Sequence, residues 1–204
     1  MRWPLAAVVL LVLGHAHAAG VTEVLSDRDI SYALSIANGS DATRVAFHSP
    51  YVLAVPDSMI EHLEVITEFR RFVLAAEEQV KLGNWMVARG GFDAKGRTLK
   101  DVLRPVSGQV SIRARLRFHP QNSYKSLPPF DVLVGEPTLL ALNAIRTPHV
   151  TTIYIDGGSI DVIQGATIET FYNAPTINGR MLPVRMIFEE KEIGRVNVDF
   201  SRVQ

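Results

Sequence analysis

Up to about residue 83 the apolar positions recur mostly at intervals of three and four, and from Ser107 onward they recur at two. That change of period predicts helices first and strands afterwards. Ser26 caps a first helix that opens on Asp27-Arg28-Asp29, with the acids at its positive end. Ile30, Ala33, Leu34 and Ala37 follow at helical spacing, and Asn38-Gly39 is the stop. A short second helix starts at Ser40 or Asp41 and ends before Pro50, and Tyr51 to Val55 is a short strand or an extended connector. Next, Ser58 and Glu61 form a capping box. Behind it Met59, Leu63, Ile66, Phe69, Val73, Ala76 and Val80 draw one apolar stripe, widened by Phe72 and Leu74 and ended by Gly83. The spacing predicts a single helix of about six or seven turns lying against a sheet or between two elements. Gly90-Gly91 and Gly96 interrupt residues 84–105, where Thr98 caps one helical turn before Pro105.

In the second half Val110, Ile112, Ala114, Leu116 and Phe118 alternate with Ser111, Arg113, Arg115 and Arg117, which predicts a strand with one buried face. Thr151–Ile155 and Ser159–Ile163 flank Asp156-Gly157-Gly158 as a hairpin. Thr167–Tyr172 is a further strand, and Met181–Phe188 pairs with Ile193–Phe200 through Glu189 to Glu192. Strands at these intervals predict an α+β protein whose N-terminal helices pack on a C-terminal antiparallel β-sandwich or small barrel. The expected divisions are 1–18, a mainly helical region over 19–105 and a β-rich region over 106–204, with 19–204 compatible with one domain.

The first residues change the picture of where the chain works. Arg2 precedes an apolar run from Leu5 to Leu13, and Ala16-His17-Ala18 supplies the small-x-small pattern of a signal-peptidase site. The layout predicts a secretory signal cleaved after Ala18 and a periplasmic or secreted product. The apolar run is too short for a membrane anchor, which needs about 20 residues. No other stretch is long and apolar enough to span a bilayer.

Composition then removes chemistries. With no cysteine, the 204-residue chain has no disulfide, thiolate metal site or cysteine nucleophile, and must hold together by packing. Equal counts of basic and acidic residues, 21 each, give no global pull toward nucleic acid. There is no GxSxG, SxxK, HExxH or phosphate-cradling GK[ST] loop, and the four histidines beyond the signal (His48, His62, His119, His149) form no i, i+4 pair. Neither a cofactor nor a metal is expected.

Two features remain as candidate contact surfaces. The loop from His119 to Phe130 concentrates His119, Asn122, Tyr124 and Lys125 among prolines, a composition suited to stacking on and hydrogen bonding to a sugar or peptide. The row Arg113, Arg115, Arg117 on one strand face is a potential anion stripe. Together they suggest an exported, non-catalytic binding or structural module whose partner is a glycan, an acidic envelope polymer or a protein. One alternative is an envelope-polymer hydrolase using Asp131 and Glu136 as its acid/base pair. Another is a subunit of a surface or export assembly that docks through an edge strand or the long helix.

Overall fold

The computed structural model describes residues 25–57, 59–122 and 124–203. The signal expected over residues 1–18, and Ser58 of the expected capping box, lie outside them. The described chain mixes helices with two antiparallel sheets. Its helices are α1 (Asp27–Ala37), α2 (Asp41–His48), α3 (Glu68–Lys81), α4 (Trp85–Ala88), α5 (Leu99–Leu103) and α6 (Ala174–Ile177). Its strands are β1 (Val52–Leu53), β2 (Ile60–Ile66), β3 (Gln109–Arg117), β4 (Phe130–Val134), β5 (Asn143–Ile155), β6 (Gly158–Asn173), β7 (Met181–Phe188) and β8 (Lys191–Asp199).

Local chemistry accounts for most helix starts. Ser26 accepts from the Asp29 amide at 3.2 Å while its own amide donates to the Asp29 carboxylate at 3.0 Å, so α1 opens on a capping box. Thr98 and Asp101 repeat the capping box at α5, whereas Ser40 caps α2 by accepting from the Thr43 amide at 3.2 Å.

The long helix expected from Met59 to Val80 does not form. Its first part is β2, and α3 begins only at Glu68, with the Thr67 hydroxyl accepting from the Arg70 amide at 3.2 Å. Leu63, Val65 and Ile66 fit either period, and the pairing of β2 with β3 decides between them. The expected strands at 159–163 and 167–172 are one strand, β6, which continues through Gln164 and Gly165. The hairpin turn is Asp156-Gly157, with Gly157 at φ +92°, and β5 extends back to Asn143. The last hairpin turns on Glu189 and Glu190, both at positive φ.

The larger sheet has the order β1-β2-β3-β6-β5, and the smaller has the order β4-β7-β8. Thus β1 and β2 of the front half belong to the same sheet as β3. The inward row of β3 (Val110, Ile112, Ala114, Leu116) joins Ile168 and Tyr172 of β6 in one buried cluster with Phe130, Val132 and Val134 of β4 and Val184 and Met186 of β7. A second cluster collects Ala33 and Ile36 of α1 with Phe69, Phe72, Val73 and Ala76 of α3 and Leu99 of α5. Phe47 of α2 borders both. No helix among the described residues is long and apolar enough to cross a membrane.

Candidate anion-binding groove on the larger sheet

Strand alternation sends Ser111, Arg113, Arg115 and Arg117 to the face of β3 opposite the core. The structure divides this row. Ser111 is buried, and its hydroxyl donates to Glu169 at 2.5 Å and accepts from Arg71 of α3 at 3.1 Å. Arg113 sits between two carboxylates, donating to Glu169 at 2.8 Å and standing 3.5 Å from Glu64. Arg70, only 1% exposed, donates to Glu64 at 3.1 Å, to the Val65 carbonyl at 2.6 Å and to His48 Nδ1 at 3.4 Å. His48 Nε2 is 3.0 Å from Glu77, so the tautomer protonated at Nε2 satisfies both neighbours. Burial pulls the Arg70 and Arg71 guanidinium groups below the usual arginine value, opposed chiefly by Glu64 and Glu169 respectively. This network ties α3 to the sheet and leaves Arg113 bound on two sides.

Arg115 and Arg117 are placed differently. They are 54% and 69% exposed, and both turn to one carboxylate: Arg115 Nε lies 2.9 Å from Glu61, and Arg117 Nε lies 3.9 Å from it. Among the described residues no second acid reaches either arginine. Two cations sharing one anion leave a local excess of positive charge, with guanidinium donors turned toward solvent.

Two β-bulges create this arrangement. The register of β2 slips between Ile60 and His62, which sets Glu61 apart from the ladder. The register of β5 and β6 slips between His149 and Val150, and the extra residue is Gln164. Bulges re-aim side chains, and here the two flank Arg117 from either side: its amide donates to the Met59 carbonyl at 2.8 Å, and the Phe118 amide donates to the Gln164 carbonyl at 2.8 Å. Between them opens a groove of about 280 Å³ bordered by Glu61, Arg115, Arg117, His149 and Gln164, with Pro120 at one end. Gly165 forms its floor, and His149 Nε2 is held 2.9 Å from the Thr167 hydroxyl.

The proline-aromatic loop contributes its first turn to this groove and folds the rest on itself. His119 Nδ1 accepts from the Gln121 amide at 3.2 Å, Asn122 donates to the His119 carbonyl at 2.7 Å, and the Asn122 side-chain oxygen accepts from the Tyr124 amide at 2.9 Å. Tyr124 is half-buried, its ring edge-on to Phe118 at 5.2 Å, while Lys125 is exposed. Of the sequence-derived candidates, the fold therefore brings Arg115 and Arg117 together in the groove. Arg113 stands beside it, committed to Glu64 and Glu169. The two acids of the hydrolase alternative lie elsewhere: Asp131 pairs with Arg146 at 2.5 Å and Glu136 with Arg195 at 2.9 Å. Among the described residues no group of histidines and carboxylates is arranged to hold a metal ion.

Nothing in the local sequence pattern assigns Glu61, His149, Gln164 or Gly165 to this groove. In the sequence Glu61 fits the capping box expected with Ser58, and His149 belongs to no i, i+4 pair. One signal was available: a glycine inside a strand pattern, here Gln164-Gly165, marks a bulge or a close backbone approach.

A second, more apolar pocket of about 220 Å³ lies between α1, α3 and α5, floored by Ile30, Phe72 and Leu103. Its polar rim is internally satisfied, with Lys100 paired to Asp27, Arg104 to Asp101, and Glu68 to Ser107 and Gly108.

Comparison with models of known protein families, with characterised proteins and with solved structures finds no match for this chain.

Proposed function

We propose that the chain is an exported, non-catalytic binding module of the cell envelope or extracellular space, and that the groove around Arg115 and Arg117 receives an acidic ligand. The observation that carries this reading is the sharing of Glu61 by two exposed arginines inside a concave, bulge-bordered site. A carboxylate or phosphate ester placed there completes their pairing in a geometry that guanidinium forks favour. In this reading the two sheets form a sandwich around their shared cluster, and the front helices seat against one end of it through Phe47 and the Arg70 and Arg71 network. Export and cleavage after Ala18 rest on the pattern of the first 18 residues.

The test is thermal unfolding with polygalacturonate, a neutral glucan and peptidoglycan fragments. At about a hundred times its dissociation constant a ligand adds roughly 2.7 kcal/mol. Polygalacturonate is expected to raise the midpoint, and Arg115→Ala/Arg117→Ala to abolish the rise. A shift that survives the double substitution places the ligand elsewhere and sinks this reading. The mass of the exported product reports the cleavage site.

One observation favours the assembly alternative. β5 is a 13-residue strand at the edge of the larger sheet, an open row of backbone groups on which a partner strand can pair.

A further inference from the structure

Beyond Gly165 the larger sheet narrows to a two-stranded ribbon. β3 pairs with β6 only as far as Gly165, whereas β5 and β6 stay paired out to Ile155 and Gly158. The outward face of β5 runs through His149, Thr151 and Ile153, and the cross-strand partners of the last two are Val162 and Ile160. The Thr151 hydroxyl donates to the Gln164 side-chain oxygen at 3.0 Å, which fastens the base of the ribbon to the wall of the groove. The same face is therefore cationic and polar at Arg115, Arg117, His149 and Gln164, then, past the buried Val162, apolar at Ile160 and Ile153. Ile160 is 48% exposed and Ile153 is partly so. From the level of His149 to that of Ile153 the strip spans roughly 14 Å at the usual rise per residue.

We infer that the ligand of this groove is a single anionic amphiphile, its acid group on Arg115 and Arg117 and its apolar portion along Ile160 and Ile153. This inference rests on the acidic-ligand reading and adds the apolar half. Charge argues for one molecule and against insertion into a bilayer. The ribbon carries Asp156 at its tip and Asp161 nearby, and no basic residue between Val150 and Ile163, so its outer end repels anionic headgroups while its base attracts an acid.

The experiment is calorimetric titration of the chain with decyl phosphate below its micelle concentration, with ethyl phosphate as the chainless control. Decyl phosphate is expected to bind about tenfold more tightly, the equivalent of about two buried methylenes. Ile160→Asn and Ile153→Asn, each tested alone, remove that gain and leave ethyl phosphate binding as it was, which also shows that the variants fold. Arg115→Ala/Arg117→Ala abolishes both. Equal affinity for the two phosphates, still dependent on the arginines, overturns the amphiphile and leaves the acidic-ligand reading standing. Arginine-dependent binding of polygalacturonate without binding of decyl phosphate does the same. If no anion binds and the arginine variants change nothing, both fail. Tighter binding to phosphatidylglycerol vesicles than to monomeric decyl phosphate overturns the single-molecule form.

Discussion

A Cβ at Gly165 would lie 2.3 Å from the Leu116 carbonyl oxygen, a backbone atom that cannot swing aside, and 3.4 Å from His149 Nδ1. The floor of the groove thus exists because a side chain is missing. Gly165→Ala is expected to push β3 and β6 apart, costing about 1–3 kcal/mol as other overpacked sites do, and to weaken anion binding. Denaturant unfolding and a titration with ethyl phosphate read the two effects, and an unchanged unfolding midpoint would contradict the account of the floor. Tyr172 makes a different prediction. Its hydroxyl donates to the Val132 carbonyl at 2.9 Å, and burial pushes the phenol up from 10.0 to about 12. The neutral form is favoured in the fold, so its contribution is complete below the unfolded value and is lost as pH rises from about 10 toward about 12. Tyrosinate absorbance during an alkaline titration should show one phenol ionising late, and Tyr172→Phe should flatten that part of the stability profile.

At the scale of elements, Thr67 is where strand becomes helix. Its hydroxyl caps α3 from a fully buried position, and Thr67→Ala is expected to cost about 1–2 kcal/mol by leaving the Arg70 amide buried without that partner. Thermal unfolding checks it, and a loss within error would mean that water or another group can replace the cap. Thr67 also shows how far the sequence was legible. The helices α1, α2 and α5, the alternating strand β3 and the last hairpin follow from caps, turns and period, all local signals. The break at Thr67 does not. Met59, Leu63 and Ile66 match a helical stripe as well as Leu63 and Val65 match a strand, and only β3, more than forty residues away, supplies the ladder that decides. The groove was half legible for the same reason. Arg115 and Arg117 stand in a visible alternating row, but their partner Glu61 comes from another strand, and the bulges that aim Glu61 and Gln164 are products of pairing.

At the scale of the molecule, formal neutrality conceals a local imbalance. The acids and bases cancel over the whole chain, yet Arg115 and Arg117 outnumber their single carboxylate on one face, so attraction of an acidic ligand is short-ranged and fades with added salt. Stability is also distributed unevenly. β3 is paired on both sides and buried on one face, whereas among the described residues no third strand pairs with the ribbon from Val150 to Ile163, which is tied at its base by the Ile163 amide donating to the Tyr124 carbonyl, and isolated two-stranded hairpins are marginal in water. Native-state hydrogen exchange should find ribbon amides opening well before those of β3, and ligand should slow them if the apolar strip is occupied. Exchange of the ribbon as slow as that of β3 would mean that something else covers it.

Gln164 gives the ribbon its phase. Because neighbours along a strand face opposite ways, one unpaired residue in β6 determines which half of everything distal to it looks outward. Drawing it into the ladder opposite Val150 would act on side chains as an inserted letter acts on a reading frame: Val162 and Ile160 turn inward, while Ile163, Asp161 and Ser159 take their places. The arginines would remain, and beside them an acid would stand where oil now does.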